Sequence, residues 1–560
     1  MSYSLDLLHK SKIKNPTPHL LTQTLPSPLA GRGWGWGVRD FCKRSIVLNY
    51  ISRSKVFMIS IPRLSKIDFL VLISIVIIGL INLPFPFSGD QALFTTGALE
   101  MQQGKILYRD FWDLKQPGIY YFYFLAGNVF GFNEIGIHIF ELIYMVFFSI
   151  ILQLTLKTYF QHQIIASLVP LLTVGAYYIS SSYRQLTQVE GLVGFPLFLC
   201  LWLTYQSFNH EGKQRFIQLL ISGFMGGIVL IFKLIFLPIL LAFWLTILLH
   251  SILIKHQNFQ KIVIEIFLPI FIGIIFPLLA VFSYFAEVNS LSIVYKTFFI
   301  YPGQVVANGK FNLSKLLFGT AWFLKNFVTL VLIATVAVNV SLRKGKNLLT
   351  LLLVAWFVLG LGIIFLQTRS LWSYHYLLLF VPIGILATKG LDILWQPLKQ
   401  LNSPVIKILM SFLFLLPLLL NFQFKSVALV KNNFALTEDT RFKYQTVFRK
   451  DYTLLRSEVD FLSQPGSLPG EIFVAGDPSI YYLSGRTQAT SLNAWSLELF
   501  LSEQWLQLLQ ELNLSKPPYI FISNNYQTLI KKEFPKIIEL IDKRYHLLSK
   551  SNDGIWYILN

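Results

Sequence analysis

Charge is scarce in this chain. Of its 560 residues, 13% are Asp, Glu, Lys or Arg and 54% are hydrophobic, and the mean hydropathy is +0.57. A soluble domain carries about 25% charge, so a globule of this size could not cover its surface. Cysteine is nearly absent: Cys42 and Cys200 build neither a disulfide framework nor a thiolate metal site. The phosphate-cradling glycine signatures are missing, both the P-loop and the dinucleotide fingerprint. No machinery for a nucleotide-sugar donor is therefore visible. Internal repeats are missing too, which argues against the repeated halves of many secondary transporters.

What is present is apolar sequence in blocks of about twenty residues. That length lets a helix cross hydrocarbon with its backbone hydrogen bonds satisfied internally. Basic residues number 47 against 28 acidic ones, a net charge of +19. Their clustering between apolar blocks follows the positive-inside rule, not nucleic-acid binding. The pattern predicts an all-α polytopic membrane protein with about eleven transmembrane helices, multi-pass in the inner (plasma) membrane. The expected spans are 67–85, 136–156, 163–181, 191–206, 217–237, 238–254, 262–284, 319–340, 347–366, 373–388 and 405–422. Counted alternately, they put Lys157, Lys213 with Arg215, Lys255 with Lys261, and Arg343 to Lys346 on the cytoplasmic side. The stretch 118–130 is too short for an ordinary crossing and reads as a juxtamembrane or re-entrant helix. Counting it as a span would turn the Arg343 cluster outward.

Three parts follow. Residues 1–57, rich in Pro, Gly and Trp, read as a disordered extension or as sequence upstream of a true start at Met58. Residues 58–422 are the transmembrane module, with a first outer loop at 86–135. Residues 423–560 read as a small extracytoplasmic α/β domain. There EIFVAG and YIFIS are expected strands, LELFLSEQWLQLLQEL and LIKKEFPKIIELI amphipathic helices, and HLLSKSNDGIWYIL a hairpin turning near Asp553.

The first outer loop concentrates Asp90, Glu100, Asp110 and Asp113 beside Lys105, Arg109 and Lys115. The bland reading is a solvated loop. The chemical reading is proton-transfer and anion-binding chemistry at the membrane surface. A carboxylate there, Asp90, can take a proton, while Lys115 and Arg109 can neutralise an anion.

The spacing is more specific than the composition. An Asp follows the first span; about twenty residues on come Gly104, Tyr108, Arg109 and Asp110, then Lys115-Gln116-Pro117 at the next apolar segment. In this the chain resembles the GT-C class of membrane glycosyltransferases, and within it the bacterial relatives of protein O-mannosyltransferases and of the lipid A aminoarabinose transferase, over about 58–560. The resemblance implies a GT-C-like bundle. It implies transfer by direct inversion from a polyprenyl-phosphate-linked sugar to a glycan, lipid or protein acceptor on the outer face. Asp90 would be the catalytic carboxylate and Lys115 the ligand of the donor phosphate. Many relatives carry Asp-Glu where this chain has Asp90-Gln91, and a Lys-Pro-Pro-like element where it has Lys115-Gln116-Pro117.

Charges at the rims of later spans add candidates. A charge within a span costs on the order of a few kcal/mol unless paired or hydrated. Lys233, inside an apolar run, is a phosphate candidate whose bland reading is snorkelling. Glu190 is an acceptor or metal candidate, otherwise a loop-edge acid. The segment Arg369 to Tyr376 supplies Arg369 for phosphate and His375, otherwise an interfacial hydrogen-bonding residue. Asp110 and Asp113 join Glu190 and His375 as acceptor or metal candidates. No cluster has metal-ligand spacing, so no cofactor is called for and a divalent cation stays an open option. Two competing functions are a transporter or flippase of lipid-linked glycans, and a non-enzymatic envelope assembly factor.

Overall fold

The computed structural model describes residues 64–307, 312–344, 347–367, 371–400 and 403–560. The leading segment 1–57 and Arg369 lie outside the described residues. Among those described, eight helices are long and apolar enough to cross a membrane: Glu134–Tyr159, Val189–Ser207, Lys213–Phe232, Leu234–Leu253, Phe259–Glu287, Leu313–Arg343, Leu348–Leu366 and Ser373–Gln400. Their outward faces carry exposed apolar side chains such as Phe147, Phe276 and Leu332, as lipid contact requires.

The other three expected spans take different forms. The first is a helix of 15 residues, Lys66–Leu80, capped by Ser65. The expected span 163–181 is broken into Gln163–Ser167, a π-turn Leu171–Gly175, and Ala176–Ser180, with Pro170 removing an amide donor at the break. The last is the helix Pro404–Lys431, which runs past the expected boundary at 422. The polar residues there do not mark an exit from the bundle, because Lys425 is buried. Its ammonium donates to Asn82 Oδ1 at 2.8 Å, Tyr178 O at 2.6 Å and Ser181 O at 2.5 Å. Lys425→Met strands three buried oxygens at about 1–3 kcal/mol each and should lower thermal stability by at least ~2 kcal/mol. Unchanged melting would show that other donors replace the ammonium.

Two stretches between expected spans contain helices. The first loop holds Gly89–Gln102 and, where a juxtamembrane or re-entrant helix is expected over 118–130, the helix Pro117–Phe130. Within 285–318 lies the helical run Leu291–Tyr295, Lys296–Ile300 and Tyr301–Ala307, which buries Val294, Phe298 and Tyr301 in the core.

The tail forms a four-stranded sheet in the order β1-β2-β4-β3, with β1 Phe473–Ala475, β2 Tyr519–Ser523, β3 Tyr545–Lys550 and β4 Gly554–Leu559. β1 and β2 are parallel; β4 pairs antiparallel with β2 and β3. The expected strands and hairpin are therefore present, and LIKKEFPKIIELI is two helices, Asn524–Glu533 and Lys536–Arg544, parted at Pro535. The period of two sends Ile520 and Ile522 to one face, against Leu508, Ile530 and Ile541. Tyr519 and Phe521 face the other way, against Leu455, Val459 and Ile480. The described residues, 64 onward, form one compact unit, and the tail is stitched to the first loop. Trp112 N donates to Ser491 O at 2.7 Å, Asn493 Nδ2 to Trp112 O at 2.5 Å, and Arg449 Nη1 to Phe87 O at 2.5 Å. Loop and tail thus lie on the same side of the bundle.

Candidate active site

Gln91 pins the first turn of the helix Gly89–Gln102: its Oε1 accepts from Ser88 N at 2.7 Å, and its Nε2 donates to Leu186 O at 2.8 Å. A carboxylate could accept the first bond but not make the second, so Gln91 fits a buried structural post. Asp90 stands in the first turn, where the helix dipole favours an anion. Gly89 permits the next contact, since a Cβ there would sit 2.5 Å from the Trp495 ring. Trp495 Nε1 donates to Asp90 Oδ1 at 2.9 Å, across 405 positions of sequence.

Lys115 precedes the helix Pro117–Phe130, with Pro117 at a first position that needs no amide donor. Its ammonium lies 3.2 Å from Asp90 Oδ1 and 3.8 Å from Asp113 Oδ2. Tyr108, buried and in the left-handed region at φ 70°, donates from its hydroxyl to Lys115 O at 2.8 Å, and Tyr120 OH donates to Asp113 Oδ2 at 2.8 Å. Burial raises the Asp90 carboxyl, but the Lys115 charge and hydrogen bonds from Trp495, Tyr374 and Lys115 outweigh it and hold Asp90 below the ordinary carboxylate range. Burial likewise opposes the Lys115 charge, and Asp113, Asp90 and Glu190 together push the ammonium up to about 12.

A second ion pair faces the first. The helix Lys213–Phe232 stops at Lys233, whose backbone is extended (φ −166°, ψ 115°) before a short turn Leu234–Phe236. Lys233 therefore sits at a break between helices and not inside one. Its Nζ lies 2.7 Å from Glu190 Oε1, and His375 Nε2 is 3.8 Å from the same oxygen. Gly118 brings the two ion pairs together: a Cβ there would lie 2.9 Å from the Phe232 backbone. Asp90, Asp113, Lys115, Glu190, Lys233 and His375 all line one cavity of about 920 Å³. Phe232, Leu234, Ile235, Phe298, Val305 and Leu366 make part of its wall apolar, and tail residues including Asp477, Asn493 and Trp495 close it from the other side.

Two solved structures of ArnT from Cupriavidus metallidurans, one bound to undecaprenyl phosphate and one in the apo state, match this architecture with TM-scores of 0.56 and 0.54. Each is 10% identical and covers 87% of this chain and 97% of its own. The chain shares the ArnT fold. It is the fold that the sequence resemblance implied, a polytopic helical bundle with a small terminal sheet. No protein-family model and no curated protein matches the chain.

Two sequence candidates stand apart within this ArnT-like frame. Arg109 and Asp110 pair with each other at 2.8 Å, and neither lines the cavity. Asp110 Oδ2 also accepts from Ile106 N at 2.9 Å, which closes the loop turn. Among the described residues no three His, Cys, Asp or Glu side chains gather as a metal site. Sequence reasoning missed Trp495 and Tyr374. Tyr374 neighbours His375 and carried a signal as part of the same segment; Trp495 carried none.

Glu100 marks the seam between loop and tail. It is buried, accepts from Gln488 N at 3.2 Å, and lies 3.5 Å from Lys105, which also bonds Glu471 at 2.9 Å. Burial outweighs the Lys105 charge and raises Glu100 from 4.5 to about 7. A raised carboxyl opposes folding only when ionised. Its penalty is absent below pH 4.5, grows as pH rises through the window to 7, and is complete above it. Glu100→Gln keeps the carbonyl acceptor and should therefore stabilise the protein at pH 8, by on the order of 3 kcal/mol, with little effect at pH 5. Melting curves at both pH values test this, and a loss of stability at pH 8 would contradict it.

Proposed function

We propose that this protein is an integral membrane glycosyltransferase that moves a sugar from a polyprenyl-phosphate donor to an acceptor hydroxyl on the outer face of the membrane. The carrying observation is one cavity that joins two acid–lysine pairs, Asp90–Lys115 and Glu190–Lys233, to an apolar wall. A lipid phosphate needs cations for its head and apolar surface for its tail, and the cavity offers both. The fold supports the reading, since an ArnT structure of the same architecture binds undecaprenyl phosphate. On this reading the first loop and the tail face outward, and the tail is extracytoplasmic.

The chemistry follows from the pairs. Without substrate, Lys115 is neutralised by Asp90 and Asp113. An arriving phosphate competes for Lys115 and Lys233. Asp90 loses its strongest counter-charge, so its proton affinity rises toward that of a useful base. The acceptor oxygen attacks the anomeric carbon as its proton passes to Asp90. The bond from that carbon to the phosphate oxygen breaks, and polyprenyl phosphate leaves with its charge held by the two lysines. Trp495 keeps the carboxylate aimed while the lysine is engaged elsewhere. Glu190 and His375 line the same space and suit contacts to sugar or acceptor hydroxyls.

The test is consumption of a purified polyprenyl-phosphate-linked sugar by the purified protein, with release of polyprenyl phosphate. In proteoliposomes, a protein that moved the intact lipid across the bilayer without cleaving it would be a flippase and not a transferase.

A further inference from the structure

The helix Glu134–Leu156 buries a carboxylate, Glu141, that pairs with no cation among the described residues. Glu141 is fully buried. Its Oε1 accepts from Tyr177 OH and from Thr187 N at 3.2 Å, and its Oε2 from Thr187 Oγ1 at 2.8 Å. An acid inside a membrane bundle is functional by default, yet Glu141 does not line the cavity. What it holds is Thr187, a fully buried residue in the left-handed region at φ 51°. For a β-branched residue that conformation costs about 1–3 kcal/mol and persists only where the surroundings enforce it. Here Glu141 holds the Thr187 amide and hydroxyl, and Tyr123 OH donates to the Thr187 carbonyl at 3.2 Å.

The strained turn delivers the next residue to the site. Gln188 lines the cavity and is 1% exposed. Its Nε2 has no hydrogen-bond partner among the described residues and is turned away from open space. Glu190 follows two positions later on the same wall. A buried amide donor left unsatisfied costs about 1–3 kcal/mol; half a turn of the terminal amide exchanges Nε2 with Oε1, and a ligand oxygen in the cavity would complete the donor there.

We infer that Gln188 is a substrate-binding residue whose amide donates to an oxygen of the lipid donor, on the phosphate or on the sugar. Glu141 is the positioning residue that aims it through Thr187. This inference rests on the transferase reading of the same cavity, and it adds a donor contact and its support.

The test uses the full chain in lipid nanodiscs with two probes, polyprenyl phosphate and a polyprenyl-phosphate-linked sugar. Gln188→Met keeps the length and removes the donor. Binding should weaken by about tenfold, as for loss of one hydrogen bond to a charged or polar ligand. Weakening with both probes places the bonded oxygen on the phosphate; weakening with the sugar-loaded probe alone places it on the sugar. Thr187→Val keeps the shape of the turn and removes one of the two bonds that Glu141 accepts from Thr187. It should raise KM for the donor with little change in kcat, and add nothing when combined with Gln188→Met. Glu141→Leu should do the same, with Thr187→Val standing in where that variant does not fold. Wild-type affinity for both probes in Gln188→Met overturns the contact. Losses that simply add in the double variant overturn the positioning role. A wild-type protein that binds neither probe sinks the transferase reading itself.

Discussion

Asp90→Asn should lower transfer from a lipid-linked sugar by about 10²–10⁴-fold, the usual worth of a positioned general base, while leaving the fold intact. The side chains have nearly the same volume. The Asn carbonyl can still accept from Trp495 Nε1, which holds Asp90 at 2.9 Å, and Lys115 keeps Asp113 at 3.8 Å. What is lost is the charge that lets position 90 take a proton. The loss should therefore fall on kcat, with donor affinity equal to or tighter than wild type, because one competitor for Lys115 has gone. Turnover and melting temperature measured together separate the outcomes. Normal turnover by Asp90→Asn removes Asp90 from the role of base.

Lys115→Met comes second in size and differs in kind. On the proposed mechanism it removes a cation from the leaving phosphate, a loss of about 10²–10³-fold in turnover where such stabilisation is preorganised. It also leaves Asp90 and Asp113 facing each other with no lysine between them, and breaking a buried pair costs about 3–5 kcal/mol. Both donor binding and stability should fall. Lys115→Arg distinguishes the two effects, since it restores the charge and the fold while changing the geometry at the phosphate. The Arg variant should melt like wild type and recover part of the turnover. Full turnover in a well-folded Lys115→Met would show that Lys233 alone suffices.

The parts of the site that could be read from sequence share a physical reason. Each is a charge at the edge of an apolar segment, as Asp90, Lys115 and Glu190 are, or inside one, as Lys233 is, and the structure brings all four into one cavity. Arg109 shows the limit of the method. It has the right chemistry and sits six positions before Lys115 in sequence, but the turn at Tyr108 sends it outward to Asp110. Span positions were legible wherever an apolar run was continuous, and less so where Pro170 broke the helix or where buried Lys425 looked like the start of a polar tail. The closing wall was not legible at all. Nothing near Trp495 in sequence ties it to Asp90, because that contact depends on how a separate sheet docks against the first loop.

The central claim is that a lipid phosphate sits between Lys115 and Lys233, within reach of Asp90. A cryo-EM structure of the protein with polyprenyl phosphate tests it most directly. The account predicts phosphate density bridging the two ammonium groups, with the chain of the lipid along Phe298 and Leu366. Density for the phosphate outside this cavity, or on Arg109, would contradict it.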